Sequence, residues 1–152
     1  MAQRKAQRIS RKDADQTAEH NPDRPDVIVE FLFDRGLFFI SVNNIGSQPA
    51  LGVSVKFDKK LAGLGGTKEV SALRIFKGID FLGPKREIVV FLDSSDSYFQ
   101  SKQPTKLVAR VSYTDRETRK YEATINHDLE IYRELTYVLS APSDKTDSGC
   151  SR

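Results

Sequence analysis

Alternation with a period of two is the feature that most constrains this chain. Between residues 52 and 58, Val53, Val55 and Phe57 fall on one side and Ser54, Lys56 and Asp58 on the other. An extended strand with one buried face places side chains this way. Similar runs recur along the sequence. Residues 27–33 are rich in β-branched and aromatic types. Residues 36–44 carry Phe38, Ile40 and Val42 on one face and Leu37 and Phe39 on the other, which marks a central strand. Residues 86–92, built on Ile88-Val89-Val90-Phe91, read as a strand buried on both faces. Leu107, Ala109, Val111 and Tyr113, then Tyr121, Ala123 and Ile125, alternate on either side of a turn at 115–118 and predict a closing hairpin. Residues 68–76 are assigned to one more strand, with a helical turn through Val70, Leu73, Arg74 and Phe76 as the alternative.

The segments between these runs read as loops. Residues 59–66 hold three glycines, residues 77–85 close in Gly83-Pro84, and residues 94–104 form a long polar loop containing Tyr98 and Phe99. About seven short strands with no long helix between them predict an all-β, antiparallel sandwich, with a barrel as the alternative.

The 152 residues suit one domain, placed at residues 26–139. Nine Phe and five Tyr supply large core side chains in the absence of Trp. Residues 1–25 are read as a disordered basic tail and residues 140–152 as a disordered polar tail. The single cysteine, Cys150, has no internal disulfide partner, so nothing ties the chain to an oxidising compartment. No run approaches the ~18 apolar residues of a spanning helix, and no apolar stretch follows the early charges as in a secretory signal. A cytoplasmic location is the resulting expectation. The net charge of +3 is small. Its one single-signed cluster is Arg4, Lys5, Arg8, Arg11 and Lys12, ahead of the first acid at Asp13.

Certain turns are distinctive. Asn44-Ile45-Gly46-Ser47-Gln48-Pro49-Ala50 between two strands resembles the N-x-G-x-x-P-A turn of bacterial immunoglobulin-like domains, including the cell-adhesion-related group called CARDB. Phe81-Leu82-Gly83-Pro84, Tyr113-Thr114-Asp115, Tyr121 and Asp128-Leu129 are similar to a pattern in uncharacterised bacterial proteins. That pattern runs L-x-P-G before a strand and Y-x-D-x-x-G-x-x-Y before a closing I-D-L. The resemblance spans about residues 27–132 and implies an immunoglobulin-like sandwich, with no chemistry to carry over. Lys85 and Thr118 stand where the pattern has glycine. On physical grounds Gly46 is expected at positive φ, Asp115 to bond amides of its own turn, and Tyr113 and Tyr121 to meet across the hairpin.

No chemical signature stands out. His20 lies in the N-terminal segment, and His127 beside Asp128 has no further His or Cys for a metal site. Ser94, Ser95 and Ser97 lack a nucleophile-elbow context, and Cys150 lacks a fixed environment to activate it. Gly63-Leu64-Gly65-Gly66-Thr67-Lys68 fits no phosphate-loop pattern and is expected to be a flexible connection. Asp93 with Asp96, and Asp128 with Glu130, lack the spacing of a calcium loop.

The expected function is therefore a non-enzymatic protein-interaction module without cofactor, metal or catalytic residue, its partner unidentified. Its candidate surface is Ile79, Phe81 and Leu82 together with Tyr98 and Phe99. The alternative is a binder of nucleic acid or another anionic surface, through Arg4, Lys5, Arg8, Arg11 and Lys12.

Overall fold

The computed structural model describes residues 23–135. In chain order the elements are β1 (Val27–Asp34), β2 (Leu37–Asn44), β3 (Ala50–Phe57), β4 (Ala62–Gly63), β5 (Lys68–Glu69), α1 (Arg74–Lys77), β6 (Ile79–Leu82), β7 (Glu87–Ser94), α2 (Ser95–Gln100), β8 (Lys106–Thr114) and β9 (Lys120–Asp128). Two antiparallel sheets carry the architecture, one in the order β1-β2-β7 and the other in the order β6-β3-β8-β9. A two-stranded ribbon of β4 and β5 lies beside them. The protein is an all-β antiparallel sandwich.

The alternating runs supply its interior. Val27, Val29 and Phe31 of β1, and Phe38, Ile40 and Val42 of β2, face Val53 and Val55 of β3 and Leu107, Ala109, Val111 and Tyr113 of β8, all buried. Each such large apolar side chain stabilises the fold by about 1.5–3 kcal/mol on burial. As expected, β2 is central, with β1 and β7 on either side.

Four segments differ from the sequence expectation. The strand assigned to 68–76 ends at Glu69; a 3-10 turn (Val70–Ala72) and α1 follow, and they turn Val70 and Phe76 into the core. The missing strand is instead β6, inside the supposed 77–85 loop, paired to β3 from Ala50 to Val53. The 94–104 loop contains α2, which the Ser94 side chain caps by accepting from the Ser97 amide. Finally, β7 is not buried on both faces: among the described residues no element covers its outer side, and Val89 and Phe91 are exposed.

The conspicuous turns have identifiable causes. Asn44 is fully buried and fully bonded. Its Oδ1 accepts from the amides of Asp26 and Gly46 at 3.0 Å each, and its Nδ2 donates to the carbonyls of Gln48 and Leu82. One side chain thus ties the start of β1, the β2–β3 turn and the end of β6. Gly46 does not sit at positive φ as expected. It is required by close approach: a Cβ there would lie 2.1 Å from the Arg24 carbonyl oxygen. Lys85 and Thr118 both take the left-handed conformation that favours glycine, with φ of 60° and 65°. Asp115 bonds its own turn through the amides of Glu117 and Arg119, and Tyr113 stacks on Tyr121 with ring centroids 5.3 Å apart.

Candidate functional site

The proposed surface of Ile79, Phe81, Leu82, Tyr98 and Phe99 does not exist as one patch. The two loops that supply it flank opposite ends of β7, whose eight residues span roughly 25 Å. Tyr98 is buried. Its hydroxyl donates to the Pro104 carbonyl at 2.5 Å, and its ring meets Phe38 edge-on. Burial, reinforced by Asp93, holds its phenol well above the ordinary range. Phe99 is half-buried against Phe38, with the Arg133 guanidinium 4.2 Å over its ring. Leu82 is buried, and its carbonyl accepts from Asn44. Ile79 is half-buried opposite Val53. These four residues plug the sandwich, and Phe81 alone is 59% exposed.

The exposed apolar surface lies elsewhere. On the outer face of the three-stranded sheet the register places Leu32, Phe39 and Phe91 in one row, with Glu30, Ser41 and Val89 in the next. Val89 is 48% exposed, Phe91 43% and Leu37 38%. Phe39 and Phe91 meet edge to face with centroids 5.6 Å apart. The Ser41 hydroxyl donates to Glu87, which keeps this polar pair at the margin of the patch. The signal was present in sequence, in the apolar second face of 36–44 and the run at 86–92. It reads as burial because nothing in a sequence reports whether a covering layer is present.

At β7 the apolar surface also wraps round the strand edge. Ile88 and Val90 point inward yet are only half-buried, because the opposing sheet ends there in the four-residue β6. Backbone polarity follows from the register. The Asn44 amide donates to the Arg86 carbonyl, and Val42 and Ile40 pair with Ile88 and Val90. Antiparallel ladders alternate, so Glu87, Val89 and Phe91 turn their amides and carbonyls away from β2. Farther along, the glycine loop closes the edge. Gly63 packs so tightly on the Leu92 carbonyl that a Cβ would lie 1.8 Å from it, and the Gly65 amide donates to Asp93 at 3.0 Å. That loop is therefore anchored rather than flexible. The amide a phosphate loop would offer to an anion is taken by a carboxylate.

The other sequence candidates have structural roles here. Asp93 also accepts from the Ser94 amide, Asp128 caps the Leu129–Tyr132 turn, and Glu130 pairs with Arg133. His127 packs edge-on against Phe31 at 4.8 Å, with its Nε2 buried and without a hydrogen-bond partner. Burial holds its pKa below the ordinary value, outweighing a hydrogen bond to the Val29 backbone and the nearby Glu30. Among the described residues, no group of three or more His, Cys, Asp or Glu side chains is placed to hold a metal ion. No helix among them is long and apolar enough to cross a membrane. Arg4, Lys5, Arg8, Arg11, Lys12, His20 and Cys150 lie outside the described residues.

Comparison with known proteins places the chain in a family. The family described as a domain of unknown function, DUF8453, matches residues 1–133, and the chain belongs to it. The match takes in the N-terminal segment and stops short of residues 140–152. No curated protein and no solved structure matches the chain.

Proposed function

We propose that this member of the DUF8453 family is a non-enzymatic, immunoglobulin-like interaction module that docks another polypeptide on the outer face and free edge of β7. The observation that carries this reading is the Val89–Phe91–Phe39–Leu37 patch, which ends on a strand edge with outward-facing amides. Contiguous exposed apolar surface is unfavourable in water unless a partner covers it, and sheet edges accept an added strand through main-chain hydrogen bonds. The immunoglobulin-like part of the proposal draws support from strand order. Leaving aside the two-residue β4 and β5, the first, second and fifth strands form one sheet, and the third, sixth and seventh form the core of the other. In the constant-type arrangement the fourth strand joins the first sheet. Here the fourth, β6, joins the second, which leaves β7 as an edge. A cytoplasmic site of action belongs to the same proposal, supported by the single cysteine.

The test is cross-linking capture from the source cells, comparing the full chain with a Phe39→Ser/Phe91→Ser variant of unchanged circular dichroism. The expected result is a partner captured by the wild type and lost in the variant. Equal capture by both would remove the face from the proposal.

One observation favours a second reading, that of a binder of anionic surfaces. Lys56 stands directly opposite Arg110 across the β3–β8 ladder, and it lines a groove of about 480 Å³ in which Lys59, Lys60 and Lys77 outnumber the acids Asp58 and Glu69. Like charges placed opposite each other are destabilising unless an anion lies between them. This reading expects salt-sensitive binding of a polyanion that weakens on deletion of residues 1–24 and weakens again in Lys56→Glu/Arg110→Glu. Equal binding by all three proteins would exclude it.

A further inference from the structure

We infer that the occupant of the β7 edge is a second copy of this chain, paired β7 to β7 in antiparallel fashion about a two-fold axis at Val89. This rests on the docking reading above and goes beyond it by naming the partner and the register.

The first ground is where the open edge begins and ends. On one side the Gly83–Arg86 turn, closed by the Arg86 amide on the Gly83 carbonyl, leads the chain into β7. On the other, Gly63 stands against the Leu92 carbonyl and Gly65 bonds Asp93. Among the described residues the stretch left open runs from Glu87 to Phe91, and Val89 is its midpoint. The residues whose amides and carbonyls face outward are Glu87, Val89 and Phe91, arranged symmetrically about that midpoint. A two-fold axis at Val89 sets Val89 opposite its own copy and Glu87 opposite the other copy's Phe91. All the outward backbone groups then find partners in an antiparallel ladder.

The second ground is self-complementarity, which an isologous contact requires. The strip is Glu87-Ile88-Val89-Val90-Phe91, with a single charge at one end. In this register the two Glu87 carboxylates sit at opposite ends of the contact, each already accepting from a Ser41 hydroxyl. Ile88 of one copy lies opposite Val90 of the other. Inner side chains that are half-buried in one copy thereby gain the cover that the short β6 does not give them. The outer patch of Val89 and Phe91 becomes continuous across the axis. A parallel pairing has no such closure. Neither a lysine nor a proline, two of the devices that protect an edge, stands between Glu87 and Phe91, and the register shift against β2 comes only after Phe91.

The test is sedimentation equilibrium of the full chain from low micromolar to several hundred micromolar. It is run beside Val89→Pro, Val89→Lys and, on a Cys150→Ser background, Val89→Cys and Glu87→Cys. Proline at position 89 removes an N–H that points away from β2, so the intramolecular ladder stays intact. Lysine at the same site serves if the proline variant fails to fold. The wild type is expected to dimerise, with the dissociation constant raised at least about tenfold in either substitution. Val89→Cys is expected to give a disulfide-linked dimer under mild oxidation. Glu87→Cys is expected not to, since its symmetry mate lies at the far end of the contact. A wild type that stays monomeric throughout overturns the inference. So does a dimer unaffected at Val89, or equal cross-linking at the two cysteine positions. A monomer whose Val89 amide resists hydrogen exchange also overturns it, because the edge is then already covered. The docking reading fails separately. A monomer that captures a partner through Phe39 and Phe91 keeps that reading, whereas equal capture by the wild type and the Phe39→Ser/Phe91→Ser variant removes it whatever the oligomeric state.

Discussion

The two long seams of the sandwich, where the sheets meet at their edges, are built in opposite ways. Along the β1–β9 seam the sheets are locked together. Phe31 of β1 packs against His127 of β9 and Phe57 of β3. The Val27 amide donates to the Tyr113 hydroxyl, and Arg24 lies 4.3 Å over the Tyr121 ring. Along the β6–β7 seam the short β6 leaves Ile88 and Val90 half-buried, and among the described residues no strand neighbours the outer amides of β7. The first seam commits its side chains to the fold. The second leaves apolar surface exposed, which stability alone would not favour.

Substitutions should separate the two seams. The largest expected effect is Phe31→Ala, which empties a buried aromatic site in the closed seam; chemical denaturation should show a loss of about 3–5 kcal/mol. Next is Gly46→Ala. Its new Cβ meets the Arg24 backbone that leads into β1, and the same measurement should show a loss of about 1–3 kcal/mol. A result near zero would mean that residues 24–26 are not held against the turn. Thr118→Gly should act in the other direction. A β-branched residue at positive φ is strained, so thermal unfolding should show a gain of about 1 kcal/mol. In the open seam, Val89→Lys should leave stability within about 0.5 kcal/mol of the wild type while removing the association. A large loss of stability there would erase the distinction between the seams.

The last expected effect is confined to mildly acid pH. His127 in the folded protein titrates below its unfolded value, which lies near 6.5. Above that value both states are neutral at this site and stability is unaffected. As pH falls through it the unfolded chain protonates first, and stability is lost until the folded-state pKa is passed. Denaturation midpoints from pH 7.5 to 5.5 should fall in the wild type and fall less in His127→Phe. An unchanged slope would show that His127 is not held neutral in the seam.

Much of this was legible in residues 27–128, and the reasons are local. Val53, Val55 and Phe57 point inward because strand side chains alternate, whatever lies opposite. The Asp115 turn and the Tyr113–Tyr121 contact follow from short-range geometry. The capping of α2 by Ser94 was also written locally, in Ser94 and Asp96, and was masked by the polar composition around it. β6 was not legible: four residues with Asp80 among them make too short a pattern, and only pairing with β3 defines it. Tyr98 and Phe81 look alike in sequence as loop aromatics, yet one fills the core and the other faces solvent.

What the sequence determined by itself was the class of fold, the identity of the central strand and the residues that make the turns. Each of these depends on neighbours a few positions away. The tertiary structure alone decided why Gly46 must be glycine and where the glycine loop is anchored. It also decided that the Ile88–Leu92 run lies at an edge and not in the middle of a sheet. Those depend on which distant segment arrives alongside, and an apolar run carries the same pattern whether its cover comes from its own chain or from another.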